Sequence, residues 1–239
     1  MAVKINCDMG ESFGIYKLGD DEALMAYIDA ANVACGFHAS DPVVMQNTVS
    51  NAKVNGVTVG AHPSLPDLQG FGRREMKMDP AELKAHLIYQ VSALKGFLDV
   101  AGMSLSHIKP HGSLYGMAAR MPEITHAVCD VAELFKVPLY GMADTLHEEI
   151  AAKRGIEFLA EFYADLDYSD EGGLIITREH TPVDIAKTLA KVERAIREGR
   201  VYSVNGKDLK IKCDTICVHS DTPNAVELAT KLKPLLEKL

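Results

Sequence analysis

The sequence predicts a single α/β domain, spanning 1–239, in which seven or eight mostly parallel β-strands close into a barrel. Three observations predict it. Short strand-like runs alternate with amphipathic helical segments along all 239 residues. Strand candidates fall near residues 3–7, 31–35, 57–61, 107–110, 138–141, 157–162, 174–177 and 215–218. Most of these runs end in a Gly- or Pro-bearing turn that carries His, Asp, Lys or Glu, and the C-terminal ends of parallel strands share one face. An open doubly wound sheet gives the same alternation, but its site gathers at a switch point between a few strands, so reactive groups on so many ends favour a closed ring.

The first strand begins with Val3-Lys4-Ile5 and runs into Cys7-Asp8-Met9-Gly10-Glu11. Asp8 and Glu11 read as paired carboxylates for a metal or for proton transfer, because Gly10 lets the backbone approach a ligand; the competing reading is a loop acid capping the next helix. The second run ends at Gly36-Phe37-His38, and Asp41-Pro42 then supplies an N-cap and an N1 proline for a helix. The third ends on His62-Pro63. His38, His62 and Asp8 together make a nitrogen and oxygen ligand set for a divalent cation, although each histidine alone reads equally well as a hydrogen-bonded structural residue. In the following GFGRRE segment, Arg73 and Arg74, with Asp67, offer a forked guanidinium for a carboxylate or phosphate, with surface ion pairing as the competitor.

Asp79-Pro80 with Glu82 is the N-cap, N1 proline and N3 acid of a long helix whose apolar face is Leu83, Leu87, Val91, Leu94 and Leu98. Lys109-Pro110-His111-Gly112 closes the fourth strand. Its ammonium suits a developing oxyanion and its imidazole a proton transfer, unless Lys109 simply pairs with a barrel carboxylate such as Glu161. Glu161 and Asp165 add acids at the sixth strand, whereas Asp167, Asp170 and Glu171 read as a solvated turn. Thr181-Pro182 with Asp184 repeats the helix-opening pattern ahead of Ile185, Leu189, Val192 and Ile196. Asn205-Gly206, between two strand-like runs, predicts a small hairpin insertion near 201–212. The last strand brings His219 and Asp221, and Thr222-Pro223 is placed to open the final helix. His86, His126, His147 and His180 are expected to be solvated.

Composition narrows the function. With 47% hydrophobic and 24% charged residues the chain can bury a sizeable core. Its net charge of −8 and dispersed Lys and Arg argue against nucleic acid as a partner. No apolar run reaches the roughly 18 residues that span a bilayer, and the start does not read as a signal peptide, so a cytoplasmic protein without membrane partners is expected. Five cysteines with no Cys-x-x-Cys spacing are expected to be reduced thiols, Cys7, Cys35 and Cys217 buried in strands. Neither a GxxxxGK[ST] phosphate loop nor a GxGxxG turn is present, so ATP recognition, if it enters, is unconventional or shared with a partner.

The blocks CDMGES, ANVACGFHASD, GAHPSLPDLQGFGRR, IKPHGSLYG, EFYADLDYSDEGGL and CVHSD, in this order along almost the whole chain, resemble the signature blocks of the LamB/YcsF family. The resemblance implies a distorted TIM-like barrel related in architecture to sugar deacetylases. It also implies ATP-dependent hydrolytic opening of the 5-oxoproline lactam to glutamate, with ATP as co-substrate, in company with separate B and C subunits. Asp8, Glu11, His38, Asp41, His62, Lys109, His111, Glu161 and Asp165 match the family pattern. Ser40 and Ser220 stand where glycine is usual, and Leu166 where arginine is common, so a carboxylate-binding role for that arginine does not carry over.

For such chemistry Asp8, Lys109, His111 and Glu161 are the expected catalytic groups. Lys109 and His111 would face the oxyanion or phosphorylated intermediate, and Asp8 or Glu161 would orient water or take its proton. Glu11, His38, His62, Arg73 and Asp165 are expected to bind substrate, and Asp8, His38 and His62 are the expected ligands of any divalent metal. Two rival readings are a stand-alone metal-dependent deacetylase of an N-acyl sugar and a non-catalytic lactam-binding protein. A homo-oligomer is compatible with each.

Overall fold

The computed structural model describes residues 3–175 and 181–239. In chain order these form β1 (Lys4–Met9), α1 (Asp21–Met25), β2 (Ala30–Ala34), α2 (Pro42–Asn55), β3 (Thr58–His62), α3 (Pro80–Ala101), β4 (Leu105–Ile108), α4 (Gly112–Ala118), α5 (Pro122–Phe135), β5 (Leu139–Gly141), α6 (Leu146–Lys153), β6 (Phe158–Tyr163), β7 (Asp167–Tyr168), β8 (Leu174–Ile175), α7 (Ile185–Glu198), β9 (Arg200–Tyr202), β10 (Asp208–Lys210), β11 (Thr215–His219) and α8 (Ala225–Leu236). Seven strands close a barrel in the order β1-β11-β6-β5-β4-β3-β2, with every neighbouring pair parallel. The register sets Asp8 opposite both His219 and Asn32, and Ala34 opposite His62.

Strand alternation sorts the side chains. Ile5, Cys7, Met9, Val33, Val59, Phe162 and Val218 belong to the apolar layer shared with the helices. Asn6, Asp8, Asn32, His107, Lys109, Glu161 and Thr215 are equally buried but polar, and they meet inside the ring. There Asn6 Nδ2 donates to Thr215 Oγ1 at 2.9 Å, and Asn32 Nδ2 donates to Asn6 Oδ1 at 2.7 Å and Asp8 Oδ1 at 2.8 Å. His107 Nε2 donates to Asn32 Oδ1 at 2.6 Å, and Ser106 Oγ bonds its other nitrogen at 2.8 Å. This belt floors the site. It requires a glycine on β3, since a Cβ at Gly60 would lie 2.2 Å from the His107 ring.

The long helix is as its sequence grammar predicts. Asp79 caps α3 by accepting from the Ala81 N–H, Pro80 sits in its first turn, and Leu83, Leu87, Val91, Leu94 and Leu98 are buried. Asp41 caps α2 in the same way. Thr181 does not open α7. Val183 is held instead by Asn224, whose side chain accepts from its N–H and donates to its carbonyl, both at 2.9 Å, and the helix starts after Asp184, which accepts from the Lys187 N–H. α8 likewise starts only at Ala225, beyond Thr222-Pro223, and the Thr222 hydroxyl donates to Asp165 Oδ2 at 3.1 Å rather than capping a helix.

The strand expected near 174–177 is not a barrel strand. Leu174–Ile175 pairs antiparallel with Asp167–Tyr168 in a separate two-stranded sheet, while Ile176, Thr177 and His180 lie outside the described residues. Asn205-Gly206 turns between β9 and β10, which pair antiparallel with Val201 opposite Leu209. His147 is not solvated but fully buried. All five cysteines are free thiols. Among the described residues no helix is long and apolar enough to cross a membrane.

Candidate active site at the barrel mouth

Lys109, just beyond β4, is only 2% exposed. Its ammonium lies 2.8 Å from Asp8 Oδ1, 3.0 Å from Glu161 Oε1 and 3.1 Å from Cys217 Sγ. Burial opposes its charge, but Asp8 and Glu161 prevail and hold its pKa well above the ordinary lysine value. Burial likewise opposes ionisation of Asp8, yet the neighbouring His62 and Lys109 hold that carboxyl well below its usual range. The lysine is therefore a fixed cation, suited to a developing negative charge and unsuited to act as a base. Tyr163 Oη donates to Glu161 Oε2 at 2.9 Å and orients that carboxylate.

A second cluster lies beside it. Glu11, His38, His62 and His111 are buried and place one ligand-type atom each within 4.8 Å of one another. His38 Nε2 is 3.0 Å from Glu11 Oε1, His111 Nδ1 is 3.0 Å from His62 Nε2 and 3.4 Å from Glu11 Oε1, and His62 Nε2 is 3.2 Å from Asp8 Oδ2. Burial, reinforced by the neighbouring imidazoles, pushes the His38 and His111 pKa values well down. Burial and the Asp8 charge push Glu11 well up.

On the far side, Asp165 holds His219. Its Oδ1 is 2.9 Å from Nδ1 and its Oδ2 accepts the His219 backbone N–H at 2.7 Å. The other ring nitrogen lies 3.7 Å from Asp8 Oδ2. Burial works against charge on this histidine, but Asp165 raises its pKa above the ordinary value. Arg73 and Arg74 part company. Arg74 is tied to Asp67 through Nε, at 2.9 Å, and Nη2, whereas Arg73 lines the cleft with His62, Lys109 and Tyr163 and lies 3.6 Å from Asp221.

Asp8, Glu11, His62, Arg73, Lys109 and His111 thus all line one cleft. His38 stacks behind His111 with centroids 3.6 Å apart, Glu161 lies under Lys109, and Asp165 stands behind His219. The expected metal set of Asp8, His38 and His62 is redistributed: His38 and His62 group with Glu11 and His111, while Asp8 groups with Cys217 and His219. Sequence reading passed over Tyr163, the Asn6–Asn32–His107 belt and the Lys109 contact of Cys217. Alternation back from His219 would have put Cys217 on the inner face.

Gly10 to Gly14 also has Gly-x-Ser-x-Gly spacing, but a bridge between Phe13 and Tyr16 follows it rather than a helix. Ser12 Oγ accepts from the Leu18 N–H at 3.0 Å. The strand–turn–helix setting of a serine nucleophile is absent at this segment.

The sequence model of the LamB/YcsF family matches residues 3–239. The lactam utilization protein lamB of Emericella nidulans is 46% identical, with 98% of this chain and 94% of that protein covered. The 5-oxoprolinase A subunit of Clostridium beijerinckii is 45% identical over 99% of this chain and 94% of its own. Among solved structures, the lactam utilization protein from Thermus thermophilus superposes with a TM-score of 0.91 at 37% identity, covering 100% of this chain and 97% of that one. A putative cellobiose-phosphate cleavage protein from Enterococcus faecalis shares the fold, with a TM-score of 0.56 at 12% identity over 99% of this chain and 94% of that one.

Proposed function

The chain belongs to the LamB/YcsF family, and on that premise we propose that it is the A subunit of a 5-oxoprolinase, a hydrolase that opens 5-oxo-L-proline to L-glutamate with ATP as co-substrate and B and C subunits as partners. Relatives that bear the name of the 5-oxoprolinase A subunit, at 41–45% identity over nearly the whole chain, support it. The observation that carries the chemistry is the buried Lys109 ammonium, fixed between Asp8 and Glu161 at the strand ends.

A lactam is a resonance-stabilised amide, so its opening needs an activated carbonyl oxygen or a stabilised tetrahedral oxyanion. Lys109 faces that oxygen, with His111 beside it. Asp8, held ionised, orients the attacking water and takes its proton, with Glu161 as the alternative base. Arg73 receives the substrate carboxylate, while Glu11, His38, His62 and Asp165 shape and position the site. A divalent cation at the glutamate and imidazole cluster would polarise the carbonyl or activate water. Water adds across the C–N bond, the ring nitrogen leaves with a proton, and ATP hydrolysis drives the net reaction.

The test is glutamate formation from 5-oxoproline and ATP by the B and C subunits, with this chain added or omitted. Glutamate is expected only when it is present. Lys109→Met, checked for native circular dichroism, is expected to lower turnover by about 10²–10³-fold; unchanged turnover would remove Lys109 from the mechanism. Hydrolysis of an N-acyl sugar by the chain alone, without ATP, would replace the proposal with the deacetylase reading that the histidine cluster also suits.

A further inference from the structure

We propose that the barrel mouth binds one divalent transition-metal cation, of the zinc or cobalt class, through His62 Nε2, His111 Nδ1 and the Glu11 carboxylate. The argument starts from two backbone carbonyls. His62 Nδ1 lies 2.7 Å from the Lys109 carbonyl oxygen, and His111 Nε2 lies 2.8 Å from that of Phe71. A carbonyl oxygen only accepts, so each of these nitrogens carries the ring proton. In its neutral form each ring presents a lone pair on its other nitrogen; those two nitrogens face one another at 3.0 Å, and Asp8 Oδ2 lies 3.2 Å from that of His62. Two lone pairs at that separation repel, so either a proton or a metal cation lies between or beside them, and the donor set and spacing favour the metal.

Glu11 Oε1, 3.4 Å from His111 Nδ1, is the third donor, a carboxyl group whose ionisation a bound cation would favour. Separations of 3.0 and 3.4 Å bracket the spacing of about 3.3 Å between two donors that each lie roughly 2.0 Å from a tetrahedral zinc. Two imidazoles and a carboxylate also suit zinc or cobalt better than magnesium or calcium, which take oxygen shells. The outer hydrogen bonds to carbonyls fix tautomer and ring orientation, as metal-bound histidines require. The loop that provides one of them is shaped for it: Phe71 and Gly72 have φ of 54° and 64°, and a Cβ at Gly72 would lie 2.7 Å from His111 Cδ2.

His38 is excluded from the ligand set by its orientation. Its ring is parallel to that of His111 within 4°, with centroids 3.6 Å apart, so an ion in the plane of one ring lies out of the plane of the other. His38 is a positioning residue that bonds Glu11 Oε1 through Nε2 at 3.0 Å.

Cation binding stands apart from the lactam reading and is measured without turnover; only its catalytic consequence rests on that reading. The full-length chain, stripped with chelator, is titrated with zinc chloride and with cobalt chloride, and retained metal is counted after dialysis while visible cobalt absorption reports the donor set. One ion per chain is expected. His111→Asn and Glu11→Gln, each verified as folded by circular dichroism, should weaken binding by more than about tenfold, and His38→Asn should keep one ion with the cobalt bands little changed. A native chain that retains no ion, or one that binds it equally well after both ligand substitutions, overturns the site. So does ¹⁵N resonance evidence that His62 and His111 share a proton in the presence of excess zinc.

Discussion

Ser40 shows how much one residue's backbone can carry. It occupies φ +74°, in the left-handed region that costs an L-residue roughly 1–2 kcal/mol, at the position where the resemblance leads one to expect glycine. Its N–H donates to the Ser12 carbonyl at 2.9 Å, so the strained conformation ties the β2 loop to the loop after β1 beside Glu11. Ser40→Gly should therefore raise stability, by about 0.5–1 kcal/mol after the added freedom of the unfolded chain is subtracted, read as a higher urea midpoint at unchanged slope. A lower midpoint would show that the serine side chain contributes more than its backbone strain costs. The residue types of the site, Asp8, Glu11, His38, His62, Lys109 and His111, were legible because charged and imidazole groups at strand ends are poor packing residues. The different fates of Arg73 and Arg74 were not, because adjacent identical side chains differ only in direction.

At the scale of elements, local chemistry was legible where nothing remote competed with it. Asp79-Pro80 and Asp41-Pro42 open their helices as written. Thr181-Pro182 has equivalent letters and fails, because the Asn224 side chain, 41 residues away, binds both backbone groups of Val183. The turn between β5 and α6 adds a histidine that sequence position alone assigned to solvent. His147 Nδ1 accepts the Met142 N–H at 3.1 Å, and burial lowers its pKa to about 4. Between about pH 6.5 and 4 the unfolded chain binds this proton and the folded chain does not, so stability falls as pH falls through that window. The loss attributable to His147 should be on the order of 3 kcal/mol by pH 4. Urea unfolding of the native chain and of His147→Gln across this range checks it; equal acid slopes for the two proteins would assign the loss elsewhere.

At the scale of the molecule, ring closure makes the site. The polar belt joins β1, β2, β4 and β11 through Asn6, Asn32, His107 and Thr215, and Asn32 is its hub. Asn32→Ala would remove a donor from Asn6 Oδ1 and Asp8 Oδ1 and an acceptor from His107, all buried, and should cost on the order of 3 kcal/mol in denaturant unfolding. A loss below about 1 kcal/mol would mean that the belt rearranges or hydrates. The sequence by itself determined the strand and helix alternation, most of the strand ends and the family, because these rest on short-range periodicity, capping and ordered motifs. It did not determine that the ring closes with seven strands, that Lys109 is shared between Asp8 and Glu161, or that His62 Nε2 and His111 Nδ1 face each other. Those features depend on register and side-chain direction across strands up to 211 residues apart in the chain, and only closure of the barrel brings such groups within hydrogen-bonding distance.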